Sequence, residues 1–183
     1  MSTDELVLKQ RQMIEQLKDG SVMALAMADT HAMMMERIFQ GGKKSDGSDI
    51  GKYQGGELYI NPNTSAGKKF PTIGKTGKGK FESTGEPHKT GYFESYKAYR
   101  EKIGRKTNKV DLVLSGQLQS DISNGLIQKD EFTWIVSAKN ERNKKIIDGV
   151  DEKYGKTFTL SVEEVFNYRE VFNLEFTNAL KNA

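Results

Sequence analysis

Between Gly41 and Gly91 the chain loses the patterning that builds a core. These 51 residues hold 12 of the 18 glycines and all three prolines. Short apolar islands interrupt them: Leu58-Tyr59-Ile60, Phe70-Pro71-Thr72-Ile73 and Phe81. Glycine loses more backbone freedom on ordering than any other residue, and proline cannot donate to a ladder. A loop this long inside a compact domain is usually functional or disordered. Whatever core exists must therefore come from the flanks. The expected organisation is one domain over residues 1–183, carrying an extended loop or arm over 41–91. The islands predict a long hairpin that orders against something, with LYINP as one strand.

The flanks are patterned. Residues 2–40 read as helical, capped by Ser2 or Thr3, weakened at Asp19-Gly20, re-capped by Ser21 and stopped by Gly41-Gly42. Met23, Met27, Met34 and Ile38 make a stripe at helical spacing. Met33, Met34 and Met35 are consecutive and cannot all face one core. Met34 is expected to fill the core, and Met33 or Met35 to meet a partner. Tyr92–Ile103 reads as a helix ended by Gly104, with Arg105 and Lys106 suited to its C-terminal dipole. Val110–Leu114 alternates like a half-buried strand, Ser115-Gly116 breaks it, and Leu118–Ile122 reads as its continuation. Asn124-Gly125 predicts a hairpin turn, followed by a strand with Phe132, Trp134 and Val136 on one face. Asn143–Tyr154 reads as a helix closed by Gly155. Ser161–Glu164 is a capping box opening a helix to about Leu180, striped by Val165, Tyr168, Phe172, Phe176 and Leu180. Val171 and Leu174 lie off that stripe, so this helix is buried on two sides or meets a neighbouring subunit. The expected class is α+β: a small antiparallel sheet of three or four strands, about residues 110–137, packed with N-terminal and C-terminal helices.

Chemistry is scarce. Without cysteine, disulfides and thiolate metal sites are excluded. His31 and His88 have no second histidine at ligand spacing, so no metal site is expected. The acidic pairs Asp151-Glu152 and Glu163-Glu164 suit helix capping and solvation, and Ser115 lacks a nucleophile elbow. IGKTGKGK, residues 73–80, imitates a phosphate loop, but the required glycine position is occupied by Lys69 and no strand or helix flanks it. No catalytic residue, cofactor or metal is therefore assigned, and an enzyme ranks last. The polar, acidic N-terminus is no signal peptide, and no run approaches the roughly 20 apolar residues of a membrane span. Synthesis in a cytoplasm is the default.

Residues 41–91 hold nine lysines against five acids, a local +4, while the whole chain carries +3. Lysine and glycine suit backbone contacts to DNA without sequence readout, and Phe70 and Phe81 could stack on single strands. The span has no arginine, the usual residue of nucleic-acid contacts. A solvated or partner-bound arm is preferred. The alternative is a non-sequence-specific DNA-associated protein using the basic loop.

Several landmarks recur in a meaningful order: R-I-F-Q-G-G (37–42), D-G-S-D-I-G-K-Y (46–53), Y-I-N-P (59–62), F-P-x-x-G-K-T-G-K (70–78), Y-x-x-Y-R-x-x-x-G-R (96–105), V-D-L-V-L-S-G-Q-L-Q-S-D-I (110–122) and Y-G-K-T-F-T-L-S-x-E-E (154–164). Together they cover most of the chain beyond the first helix. Their order and spacing resemble the virion-morphogenesis or tail-completion proteins of tailed bacteriophages, which join head to tail at the neck. This chain has L-S-G where many relatives have L-T-G, and its 41–91 insertion is long.

The resemblance implies a non-enzymatic virion protein, made in the host cytoplasm, that assembles as a ring in the neck or upper tail. On the order of six or twelve copies would match the symmetries of such virions, closing by head-to-tail interfaces. Portal or connector and tail proteins would be its partners, with weak contact to passing DNA and no membrane. The candidate assembly contacts are Met33, Met35, Tyr59, Phe70, Phe81, Val171 and Leu174. The candidate basic residues facing a DNA channel or partner are Lys68, Lys69, Lys75, Lys78 and Lys80.

Overall fold

The computed structural model describes residues 3–18, 20–53, 55–60, 76–80, 87–89, 92–113, 116–130 and 133–182. They are mixed helix and sheet, as the α+β expectation requires. The chain groups into two compact units, Met1–Ile50 with Asp111–Ala183, and Gly51–Val110.

The first unit opens with helices α1 (Thr3–Lys18) and α2 (Ser21–Met35). A π-helical turn, Glu36–Gly41, continues α2. It stops where the sequence says it should, with Gly42 in the left-handed region at φ 66°. Gly20, at φ 74°, and not Ser21, holds the cap position of α2. The buried line on α2 is Val22, Ala26, Thr30, Met34 and Ile38 at strict i, i+4 spacing. Met34 and Ile38 thus belong to the core as expected, while Met23 and Met27 are only half-buried. Small Ala26 and Thr30 replace them at the centre. The Thr30 hydroxyl is satisfied there by donating to the Ala26 carbonyl at 2.8 Å.

Three expectations for residues 110–125 are corrected. Val110–Val113 has no regular structure, and Leu114 and Ser115 lie outside the described residues. The Asp111 carboxylate accepts from Val113 N–H at 3.0 Å, and Leu112 is turned to φ 53°. This local side-chain bond bends the chain, so no strand forms. Gln117–Ser123 is helix α4, not a second strand. Leu118 and Ile122, four apart, are both buried by it. Asn124 closes α4, so Asn124-Gly125 is a helix end rather than a hairpin turn. The expected sheet of three or four strands is a two-stranded antiparallel hairpin, β5 (Leu126–Asp130) with β6 (Thr133–Val136). Trp134 and Val136 lie on its half-buried face and Thr133 and Ile135 on its exposed one, as the alternation predicts; Phe132 lies outside the described residues.

Helix α5 (Glu141–Tyr154) follows, capped by Asn140, whose side chain accepts from Arg142 N–H at 2.9 Å. Helix α6 (Val162–Asn182) begins at the expected capping box. Ser161 Oγ accepts from Glu164 N–H at 3.2 Å, and Glu164 Oε2 accepts from Ser161 N–H at 2.7 Å. Helices α2 and α6 run antiparallel, because Asp29 meets Asn167 while Arg37 meets Glu164. Phe39 and Phe158 close the end of this packing with ring centres 6.5 Å apart.

The second unit holds β1 (Gly55–Tyr59), β2 (Thr76–Lys80), β3 (Pro87–Lys89), β4 (Tyr92–Ser95) and α3 (Tyr96–Lys102). β1 pairs antiparallel with β4, and β2 with β3. Residues 92–95 are thus a strand and not the first turn of the helix. Ser95 caps α3 by accepting from Ala98 N–H at 3.1 Å. Gly104, at φ 70°, follows its end.

Candidate assembly surface

The first unit is tied together by one guanidinium. All five N–H donors of an arginine lie in a fixed plane. Arg37 Nε donates to Glu164 Oε1 at 2.7 Å, and its second terminal nitrogen to Glu164 Oε2 at 3.2 Å and to the Thr159 carbonyl at 2.9 Å. The first terminal nitrogen donates to the Lys43 and Thr157 carbonyls at 3.0 and 3.1 Å. Glu164 is 2% exposed. Its carboxylate therefore pairs with a cation and caps α6 at once.

Neighbouring groups repeat the device. The Asp46 carboxylate accepts from Ser48 N–H and Oγ, and these hydrogen bonds hold its carboxyl below the usual range. Ser45 donates through both N–H and Oγ to the Lys156 carbonyl. Asp151 accepts from Thr157 and Phe158 N–H. Asp121 accepts from the Asn143 side chain and the Asn140 and Lys139 N–H groups, which lower its pKa in that order.

R-I-F-Q-G-G therefore meets Y-G-K-T-F-T-L-S-x-E-E more than a hundred residues away, and the Ile50 N–H donated to the Gly42 carbonyl ties D-G-S-D-I-G-K-Y to the first of them. Within the second unit, Tyr53 and the helix of Y-x-x-Y-R-x-x-x-G-R interlock in the same manner. Arg100, 1% exposed, lies 4.6 Å over the Tyr53 ring, and Tyr53 meets Tyr96 edge-on at 5.6 Å.

On this frame α6 leaves apolar groups in solvent. Val162 is 87% exposed, Phe166 63%, Leu174 58% and Leu180 45%. Val162, Phe166 and Leu180 share one side of the helix. Among the candidate contacts, Leu174 is exposed and Val171 is half-buried. Met33 and Met35 are half-buried, and Met33 lines a hollow with Arg37, Ser161 and Glu163. Tyr59 ends β1, and Lys78 and Lys80 lie in β2, their side chains undescribed. Phe70, Phe81, Lys68, Lys69 and Lys75 lie outside the described residues. Sequence reasoning missed Phe166, because the stripe it followed on α6 is the half-buried one through Val165, Tyr168, Phe172 and Phe176; Leu180, counted on that stripe, is instead exposed.

A cavity of about 230 Å³ opens on the first unit, walled by Met34, Ile122, Val136, Ile147 and Phe158. Lys144 and Asp148, one helical turn apart on α5, also line it. Among the described residues no group of three or more acidic or histidine side chains converges as a metal site, and no helix is long and apolar enough to cross a membrane. Comparison with protein-family models, with curated proteins and with solved structures finds no match.

Proposed function

We propose that this chain is a non-enzymatic structural protein of the bacteriophage neck or upper tail, forming a ring that joins the head's portal or connector to the tail. The observation that carries the reading is the meeting of the landmarks. Arg37, Thr157, Ser161 and Glu164 belong to two of those landmarks, and they are bonded to one another or to one another's segments. These residues define one frame, which supports the reading. The apolar side of α6 suits assembly, since large exposed side chains grouped on one helix mark interaction surfaces.

Native mass spectrometry of the purified chain, alone and with portal and tail components, tests the reading. A ring, or a ring nucleated by those components, is expected. A protein that stays monomeric throughout and is missing from purified virions overturns it. DNA binding that collapses steeply with added salt would instead favour the basic-loop alternative.

A further inference from the structure

We infer that Phe166 of one copy docks into the Met34–Phe158 cavity of the next, making the repeating head-to-tail contact. The inference rests on the ring reading and supplies its interface. Knob and hole belong to the same unit and lie on different elements, the knob on α6 and the hole between α2, α4, β6 and α5. A surface knob that fits a pocket elsewhere on the same molecule makes a heterologous contact, which closes into a ring when the rotation allows.

Size and polarity agree. An exposed aromatic entering an apolar pocket is the usual centre of binding energy in an interface. The cavity of about 230 Å³ has room for one phenyl ring, and its wall carries five apolar side chains.

Charge selects the occupant. The cavity carries both signs, Lys144 and Asp148. Lys144 already has a partner in Glu141 at 2.6 Å, but remains 43% exposed along its side chain. Phe166 is flanked on α6 by exposed Arg169 on one side and exposed Glu163 and Glu170 on the other. The docking pairs Arg169 with Asp148 and the two glutamates with Lys144, as the placement of Arg169 and the glutamates on opposite sides of Phe166 permits. A partner of one sign at this knob would repel half of the rim.

Four samples test this by native mass spectrometry and light scattering: wild type, F166E, the pocket-filling I147W, and an equimolar mixture of the two variants. Urea midpoints near wild type certify that F166E and I147W fold; Phe166 is mostly exposed, so F166E retains the fold. Each variant alone is expected to lose the high-mass species. The mixture regains one sound contact, because F166E supplies an intact pocket and I147W an intact knob, so a dimer forms and goes no further. As a second arm, D148R abolishes assembly and D148R/R169D restores it. A ring that persists in F166E overturns the docking and leaves the neck reading standing. A wild-type chain that is monomeric with and without neck components overturns both. A mixture that stays monomeric overturns the docking even if each variant loses the ring.

Discussion

Arg37 and Glu164, 127 positions apart, form a two-pronged ion pair at 2.7 and 3.2 Å. With side chains 12% and 3% exposed, the pair is largely withdrawn from water. Removing one member of such a pair costs far more than the pair itself contributes, because the other charge is left unanswered. Arg37→Ala is expected to destabilise the chain by about 3–5 kcal/mol, read as a lowered urea midpoint. Arg37→Lys keeps the charge but cannot reproduce the planar fork, so it should fall between wild type and alanine. A midpoint for Arg37→Ala within error of wild type would sink the linchpin role.

Acidification should weaken the fold through His31. Burial lowers its pKa below the ordinary 6.5, and a hydrogen bond with the Ile122 backbone only partly offsets this. Its Nε2 is buried with no hydrogen-bond partner. The unfolded chain then takes up a proton near pH 6.5 that the folded chain refuses. Stability is lost as pH falls below 6.5 and levels off once the lower folded value is passed, with a slope of at most about 1.4 kcal/mol per pH unit. Urea titrations from pH 7.5 to 5 should show this slope in wild type and a flatter one in His31→Gln. Equal slopes assign the effect elsewhere.

Two glycines should respond to alanine with opposite signs. A Cβ on Gly125 would lie 1.8 Å from the Ser137 carbonyl oxygen, which is backbone and cannot swing aside. Gly125→Ala is expected to cost about 3 kcal/mol and to disturb the start of β5. Gly149 sits inside α5 with nothing within 4 Å of its added Cβ. Gly149→Ala should stabilise by about 0.5–1 kcal/mol. Thermal midpoints of the two variants on opposite sides of wild type confirm the contrast.

The arm can be excised only at certain points. Tyr59 of β1 and Tyr92 of β4 are paired across the sheet. Residues 60–91 can therefore be replaced by a two-residue Asn-Gly turn joining paired strand ends. The shortened protein is expected to keep its circular dichroism and unfold cooperatively, and on the proposed neck role to fail in joining heads to tails. An unfolded product would show that the excised residues belong to the core of the second unit.

Local signals in the sequence were read correctly because their physics is local. Gly41-Gly42, the Ser161–Glu164 capping box and the alternation at residues 133–136 each depend on neighbours within four positions. The misreadings came where two periods fit the same short run. Leu118 and Ile122 satisfy a helix as well as a strand that continues past a break, and only packing against α2 decides between them. Tyr92–Ser95 looked helical because its partner β1 lies more than 30 residues upstream. Arg37 was visible only as part of a landmark. Nothing nearby announces that its five donors are satisfied by residues 43, 157, 159 and 164.

The antiparallel seating of α2 on α6 has a consequence for synthesis. At about 5–20 residues per second, the ribosome needs roughly 6–25 seconds after finishing α2 before it adds the start of α6. Through that interval the alanine- and methionine-rich α2 is on a nascent chain whose principal packing partner has not yet been made. The chain is thus vulnerable early and secured late, and a chaperone that shields its first forty residues should raise yield more than one acting on the finished protein.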